Sequence, residues 1–334
     1  MTRRGLFFQS LSLAVLCILC GFLWRPYLYW ETVTFQKVAD GVFFIGERPD
    51  HPTLQALLKN EGIRTLSDRG PGDMKLFSSL LRWSSRLFPY TSPFPHYPPW
   101  NAVEILRRIR AGETGGFCAQ YATVLGQVLQ GLGYPVRFVD LADESLGDRH
   151  FVVEVYSREY GKWIVLEAML GFMYVDGRRR PLSALEMHKR FAAKDLAGLH
   201  AVPALGIAKD HAFMYRNIRV EMRNNFLSAP VYVHWERKDG KDSIFFFPSL
   251  MVWSGGGTSF RNSPGIPVKD ESVFNFTPLS PSGPPRRCWT LRGLDGRLSA
   301  MSPGQVIRVR LPSKVLADAI RQLYGIPADY HPLG

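Results

Sequence analysis

The sequence predicts an α+β protein: a cysteine-bearing helix on an antiparallel sheet, with an N-terminal membrane span before it and a β-rich C-terminal domain after it. Three observations carry that prediction. Residues 5–24 hold no charged side chain, and twenty such residues are long enough to cross a bilayer. Cys118 follows two glycines and opens a stretch whose apolar residues recur at helical spacing (Ala122, Leu125, Val128, Leu129, Leu132), bounded by Gly131 and Gly133. Two strand-like runs follow, His150 to Tyr156 and Lys162 to Glu167, separated by a short polar loop.

At the N-terminus, Arg3 and Arg4 precede the uncharged run, and Trp24, Tyr27, Tyr29 and Trp30 follow it as an interfacial aromatic belt. No small-x-small cleavage site follows, so the run reads as an uncleaved single-pass anchor. The arginine pair places the N-terminus in the cytoplasm and the remainder on the extracytoplasmic, periplasmic side. Cys17 and Cys20 lie inside the run, leaving Cys118 and Cys288 outside it. An oxidising compartment permits a disulfide between those two.

Residues 31–83 read as a small α/β segment: a strand at Val42–Ile45, a turn at Arg48-Pro49-Asp50, a helix through Leu54, Leu57 and Leu58, and a second strand at Ile63–Leu66. Residues 84–100, rich in proline, serine and aromatics, read as a linker or an extended packing arm. Residues 101–200 form the core unit. It opens with a helix capped by Asn101 and later includes a helix announced by the capping box Ser183–Glu186. Residues 212–334 read as the β-rich C-terminal domain, ending in a helix over 313–324.

Composition excludes several classes. Hydrophobic residues make up 46% of the 334 and aromatics 13%, which supplies a core and argues against wholesale disorder. The formal charge of +12 suits an anionic membrane surface, an acidic wall polymer or nucleic acid. The basic residues are dispersed, however, and zinc-finger spacing, an RNA-binding aromatic signature and a basic helix are all missing, so no nucleic acid is expected. His51, His96, His188, His200, His211 and His234 show no metal-ligand spacing, and the acidic loop of Asp143, Glu144 and Asp148 lacks a calcium-binding pattern. No metal or cofactor is expected.

The chemistry is carried by Cys118, His150 and Glu167. A cysteine at the start of a buried helix meets unpaired backbone N–H groups and the positive end of the helix dipole, which favour thiolate. If the two strands form a hairpin with Tyr156 facing Gly161, facing residues have numbers that sum to 317. His150 then faces Glu167, close enough for the carboxylate to orient the imidazole. Arg137 reads as a structural ion-pair residue.

These residues resemble the transglutaminase-like superfamily, which has a papain-like core. The resemblance lies in Gly116-Phe117-Cys118 opening a helix, Gly133-Tyr134-Pro135-Val136-Arg137, the strand led by His150, and Trp163-Ile164-Val165-Leu166-Glu167. It covers about residues 101–190. It implies a cysteine hydrolase or acyltransferase acting on amide or peptide bonds through an acyl-thioenzyme, hydrolysis being slightly favoured over transamidation. The substrate would be a protein or peptide, wall- or surface-associated. It also implies a side-chain donor to the oxyanion, with Trp100 and Gln120 as candidates. The family's usual third residue is Asp, where this sequence has Glu167. That difference keeps a second reading open, an anchored binding or scaffold module without turnover. Residues 38–73 also resemble, loosely, the opening of a dual-specificity phosphatase fold, but the loop of Cys, five residues and Arg is missing, so phosphatase chemistry is excluded.

Overall fold

The computed structural model describes residues 28–39, 42–67, 72–94, 96–142, 149–203, 211–222, 224–227, 233–238, 241–246, 251–254, 266–267, 271–280 and 286–291. The predicted membrane span, the acidic loop and the final helix lie outside these residues. Among the described residues no helix is long and apolar enough to cross a membrane.

The architecture is α+β. Strands β1 (Leu28–Ala39) and β2 (Val42–Gly46) pair antiparallel, and helices α1 (Pro52–Asn60), α2 (Ile63–Ser67), α3 (Asp73–Ser84), α4 (Ala102–Arg110) and α5 (Cys118–Gly131) follow. Strands β3 (Val136–Ala142), β4 (Arg149–Ser157), β5 (Lys162–Glu167) and β6 (Phe172–Val175) form an antiparallel meander. After α6 (Ala184–Ala192) and β7 (His200–Val202), a 3-10 turn (Ala212–Arg216) leads into β8 (Asn217–Glu221). The remaining elements are β9 (Val233–Lys238), β10 (Lys241–Phe246), β11 (Met251–Ser254), β12 (Ile266–Pro267), α7 (Ser272–Asn275) and β13 (Arg286–Leu291). One eight-stranded sheet runs in the order β12-β11-β8-β3-β4-β5-β6-β7; β13 pairs with β1, and β9 with β10.

Helix α5 is buried along its whole length, as expected of a helix with little polar surface. It packs between β3 and β4 on one side and α1, α3 and α4 on the other. Odd-numbered β4 residues Phe151, Val153 and Val155 join that core. Even-numbered Val152 and Tyr156 join a second core on the opposite face, with Trp163, Val165, Leu185 and Met214, the alternation expected of a doubly covered strand. Two buried glutamines of α5 are tied to neighbouring backbone. Gln127 accepts from Ala102 N (2.8 Å) and donates to Trp100 O (2.8 Å), and Gln130 donates to Asn224 O (3.1 Å).

Several expectations are met and others corrected. Asn101 caps α4 by accepting from Val103 N and Glu104 N, and the Ser183–Glu186 capping box opens α6. Arg137 is a structural residue: it pairs with Glu154 at 2.6 Å, both fully buried, and lies 4.2 Å from the Trp163 ring centre. The predicted strand at Ile63–Leu66 is helical, which removes the phosphatase-like order of elements. Ile63 is fully buried in the helical layer, and that packing overrides the β-propensity of a four-residue run. Residues 84–100 are a packing arm, with Phe88 and Trp100 buried. Past residue 212 the chain adds β8 directly to β3 of the core sheet.

Candidate active site

Cys118 is the first residue of α5, and its thiol is free. Phe117 precedes the helix in an extended conformation, and the Gln120 side chain accepts the Phe117 N–H at 3.1 Å, reinforcing the helix start. Gly115 and Gly116 answer a requirement for space, because the arm crosses directly over them. Thr91 N donates to Gly116 O (2.9 Å), and a Cβ on Gly115 would lie 2.3 Å from Ser92 O.

His150 and Glu167 meet, although not by the predicted register. In the β4–β5 hairpin Tyr156 faces Trp163 and Val153 faces Leu166, so facing numbers sum to 319 rather than 317. The turn has the assumed four residues but sits one residue further along, at 158–161, which adds two to the sum. A shift of two keeps every side chain on its original face, so His150 and Glu167 become diagonal neighbours. Their Nε2 and Oε2 atoms lie 2.7 Å apart. All three residues are buried: His150 is 4% exposed, Glu167 0% and Cys118 8%.

The imidazole also makes a hydrogen-bonding contact with the Cys118 thiol. With Nε2 committed to Glu167, Nδ1 is the nitrogen left for sulfur. Cys118 arrives from the helical layer and Glu167 from the opposite face, and they meet His150 at the start of β4. Burial pulls the imidazole pKa down, but the Glu167 charge and the contacts with Glu167 and Cys118 outweigh it and push it up to about 10. Burial raises the Glu167 carboxyl, and the His150 charge with its hydrogen bond more than reverses that, leaving Glu167 well below the carboxylate range.

Two further residues complete the carboxylate's surroundings. The Tyr215 hydroxyl donates to Glu167 Oε1 at 2.5 Å, and burial and the Glu167 charge raise its phenol well above the ordinary value, keeping it a donor. His211 places Nε2 at 3.7 Å from Glu167 Oε2, with its ring edge-on to His150 at 4.7 Å. Sequence reasoning gave His211 no role and did not select Tyr215. They lie 44 and 48 residues beyond Glu167 and arrive through the 3-10 turn, so no local spacing signals them. His150, Glu167 and His211 offer donor atoms all within 4.8 Å of one another, the group among the described residues spaced to hold a metal ion. The short His150–Glu167 hydrogen bond already occupies two of those donors.

A thiol on a helix N-terminus, an imidazole against it and a carboxylate holding the imidazole are the arrangement that nucleophilic catalysis by a thiol requires. Residues 67–168 match the family model described as the transglutaminase-like superfamily. The chain therefore contains a transglutaminase-like domain, a fold generally associated with cysteine enzymes that act on proteins or peptides. The match ends one residue past Glu167, so Cys118, His150 and Glu167 all fall inside it, and His211 and Tyr215 fall outside. No curated protein matches the chain.

Proposed function

We propose that this protein is a cysteine acyl-transfer enzyme that cleaves or exchanges amide bonds of protein or peptide substrates. The observation that carries the reading is the buried His150–Glu167 pair at 2.7 Å with Cys118 against the imidazole. In the reaction, Cys118 sulfur as thiolate attacks the carboxamide carbon, and the carbonyl electrons move onto oxygen. On collapse the C–N bond breaks, the imidazolium of His150 gives its proton to the departing nitrogen, and a thioester remains. Water or an amine then attacks the thioester, His150 takes the nucleophile's proton, and sulfur departs as thiolate. Hydrolysis is the favoured outcome, since water needs no acceptor site. Glu167 fixes the ring and offsets its charge throughout. Residues 5–24 anchor this unit on the extracytoplasmic face, supported by their uncharged length and the flanking arginines and aromatics.

The test is iodoacetamide labelling of Cys118 in the full-length chain across pH, with His150→Ala alongside. Labelling that stays fast below about pH 7 and collapses in the variant supports the Cys–His pair. A thiol of ordinary reactivity, indifferent to His150, would sink the enzyme reading and leave an anchored binding module. Anchoring is tested separately: carbonate extraction that frees the protein from membranes overturns it.

A further inference from the structure

The carboxylate of Glu167 faces two imidazoles, and acyl transfer uses only one of them. His211 Nε2 lies 3.7 Å from Glu167 Oε2, too far for a hydrogen bond. The atom is buried and makes no well-formed hydrogen bond. A buried polar nitrogen without a partner costs free energy, so its place beside the His150–Glu167 pair calls for an occupant.

The surroundings fit a cation. His150 comes from β4, Glu167 from β5 and His211 from the residue before the 3-10 turn, and their donor atoms all lie within 4.8 Å of one another. Ligands about 2.0–2.1 Å from a tetrahedral Zn²⁺ sit roughly 3.3 Å apart. The observed separations straddle that spacing, at 2.7 Å for His150 to Glu167 and 3.7 Å for His211 to Glu167. Small side-chain rotations, opening the first and closing the second, would bring both to it. The two rings stand at 86° to each other, so two in-plane lone pairs can reach one ion without the rings clashing. Tyr215 holds Oε1 of the carboxylate, which leaves Oε2 as the single ligand oxygen and supplies the outer support that metal ligands need. Two imidazoles and one carboxylate suit Zn²⁺ rather than Ca²⁺ or Mg²⁺, which favour oxygen. His211 is partly exposed, and it opens the cluster to solvent. The gathered donors do not include the Cys118 sulfur.

We propose that His150, Glu167 and His211 form a binding site for Zn²⁺ or a divalent cation of similar chemistry, and that its occupation reversibly disarms Cys118. On binding, the proton between His150 Nε2 and Glu167 Oε2 leaves to solvent and both atoms become ligands. The neutral imidazole then keeps its one proton on Nδ1. That nitrogen has no lone pair left to accept a proton, so His150 cannot serve as ligand and base together. The effect on catalysis rests on the acyl-transfer reading, whereas the cation site does not.

The test is calorimetric titration of Zn²⁺ into the full-length chain, Cys118→Ser and His211→Gln, with Ca²⁺ as the control cation. The parent and Cys118→Ser should each bind Zn²⁺ with similar affinity and leave Ca²⁺ unbound. His211→Gln, with a melt as cooperative as the parent's, should bind Zn²⁺ at least about a hundredfold more weakly, beyond what loss of a mere neighbour to a ligand costs. Co²⁺ in the parent should show the visible bands of a four-coordinate ion without the intense near-ultraviolet band of cobalt bonded to a thiolate, a result that needs no variant to fold. Saturating Zn²⁺ should abolish the fast iodoacetamide labelling of Cys118 below about pH 7, and a chelator should restore it. A parent that binds no Zn²⁺, binding lost in Cys118→Ser, a thiolate–cobalt band, or undiminished binding in a folded His211→Gln each overturns the site. Zn²⁺ bound through His211 while Cys118 labels just as fast overturns the disarming. A parent whose thiol never labels rapidly but whose Zn²⁺ site depends on His211 fails the acyl-transfer reading and upholds the cation site.

Discussion

At the scale of single residues the site depends on the length of Glu167. The carboxylate reaches His150 along a diagonal and accepts from Tyr215 on its other oxygen. Glu167→Asp withdraws it by about one C–C bond, ~1.5 Å, which breaks both contacts. We expect acyl transfer to fall more than about tenfold, even though Asp is the family's usual residue; an undiminished rate for Glu167→Asp would show that the carboxylate has slack. The same pair makes stability pH-dependent. The imidazole is raised from an ordinary 6.5 to about 10, so between those values the folded state holds a proton that the unfolded state has released. Stability from this group is complete below about pH 6.5 and declines as pH rises towards 10. Thermal melting should therefore fall across that window, and His150→Gln should flatten the decline; identical slopes would contradict it.

Cys118, His150 and Glu167 were legible in the sequence because each belongs to a short element with a strong period: a helix opened by glycines and a hairpin of two alternating strands. The face shared by His150 and Glu167 was also legible, since parity survives an error of two. The pairing itself was not. The turn between β4 and β5 uses Arg158, Glu159, Tyr160 and Gly161, and residue types alone placed it one residue too early. His211 and Tyr215 were hidden for another reason. They approach from irregular segments whose positions depend on packing rather than on periodicity.

At the scale of elements, the arm and the helix start act as one unit. The arm crosses residues 114–116 through Thr91 N to Gly116 O and Thr114 Oγ1 to Pro93 O (3.0 Å), while the Tyr121 hydroxyl donates to Phe88 O. Phe88 and Trp100 anchor its ends in the core. Gly115→Ala pushes a methyl into the Ser92 carbonyl, which is backbone and cannot swing aside. The cost should be about 1–3 kcal/mol, seen as a lower urea midpoint, and Cys118 labelling should change with it because the same loop sets the helix start. A variant as stable as the parent would mean that the arm is free to lift.

For the whole molecule, the matched domain does not contain its own full surroundings. β8 pairs along β3, Tyr215 holds Glu167, and Phe276 O accepts the Trp163 indole N–H at 2.9 Å. A chain stopped after residue 203 loses all three and exposes a β3 edge, an invitation to aggregate. We expect it to be insoluble or to lack a cooperative melt, whereas a chain stopped after residue 280 melts cooperatively. Equal behaviour of the two would show that the core is self-sufficient. The sequence reading drew a boundary before residue 212 because the strands beyond it are short and separated by glycine and proline. Composition marks such punctuation, but it does not reveal which sheet a strand will join.

The diagonal meeting of His150 and Glu167 also makes the acid a ruler for the hairpin. In this frame a directly facing position suits a shorter carboxylate, and a position one diagonal further away suits a longer one. Remodelling the turn so that β5 slides back by two residues would bring Glu167 opposite His150 and leave its side chain a methylene too long. In that remodelled protein Glu167→Asp should become the repairing substitution instead of the damaging one. Side-chain length and strand register are in that sense a single trait, and one is inherited safely only with the other.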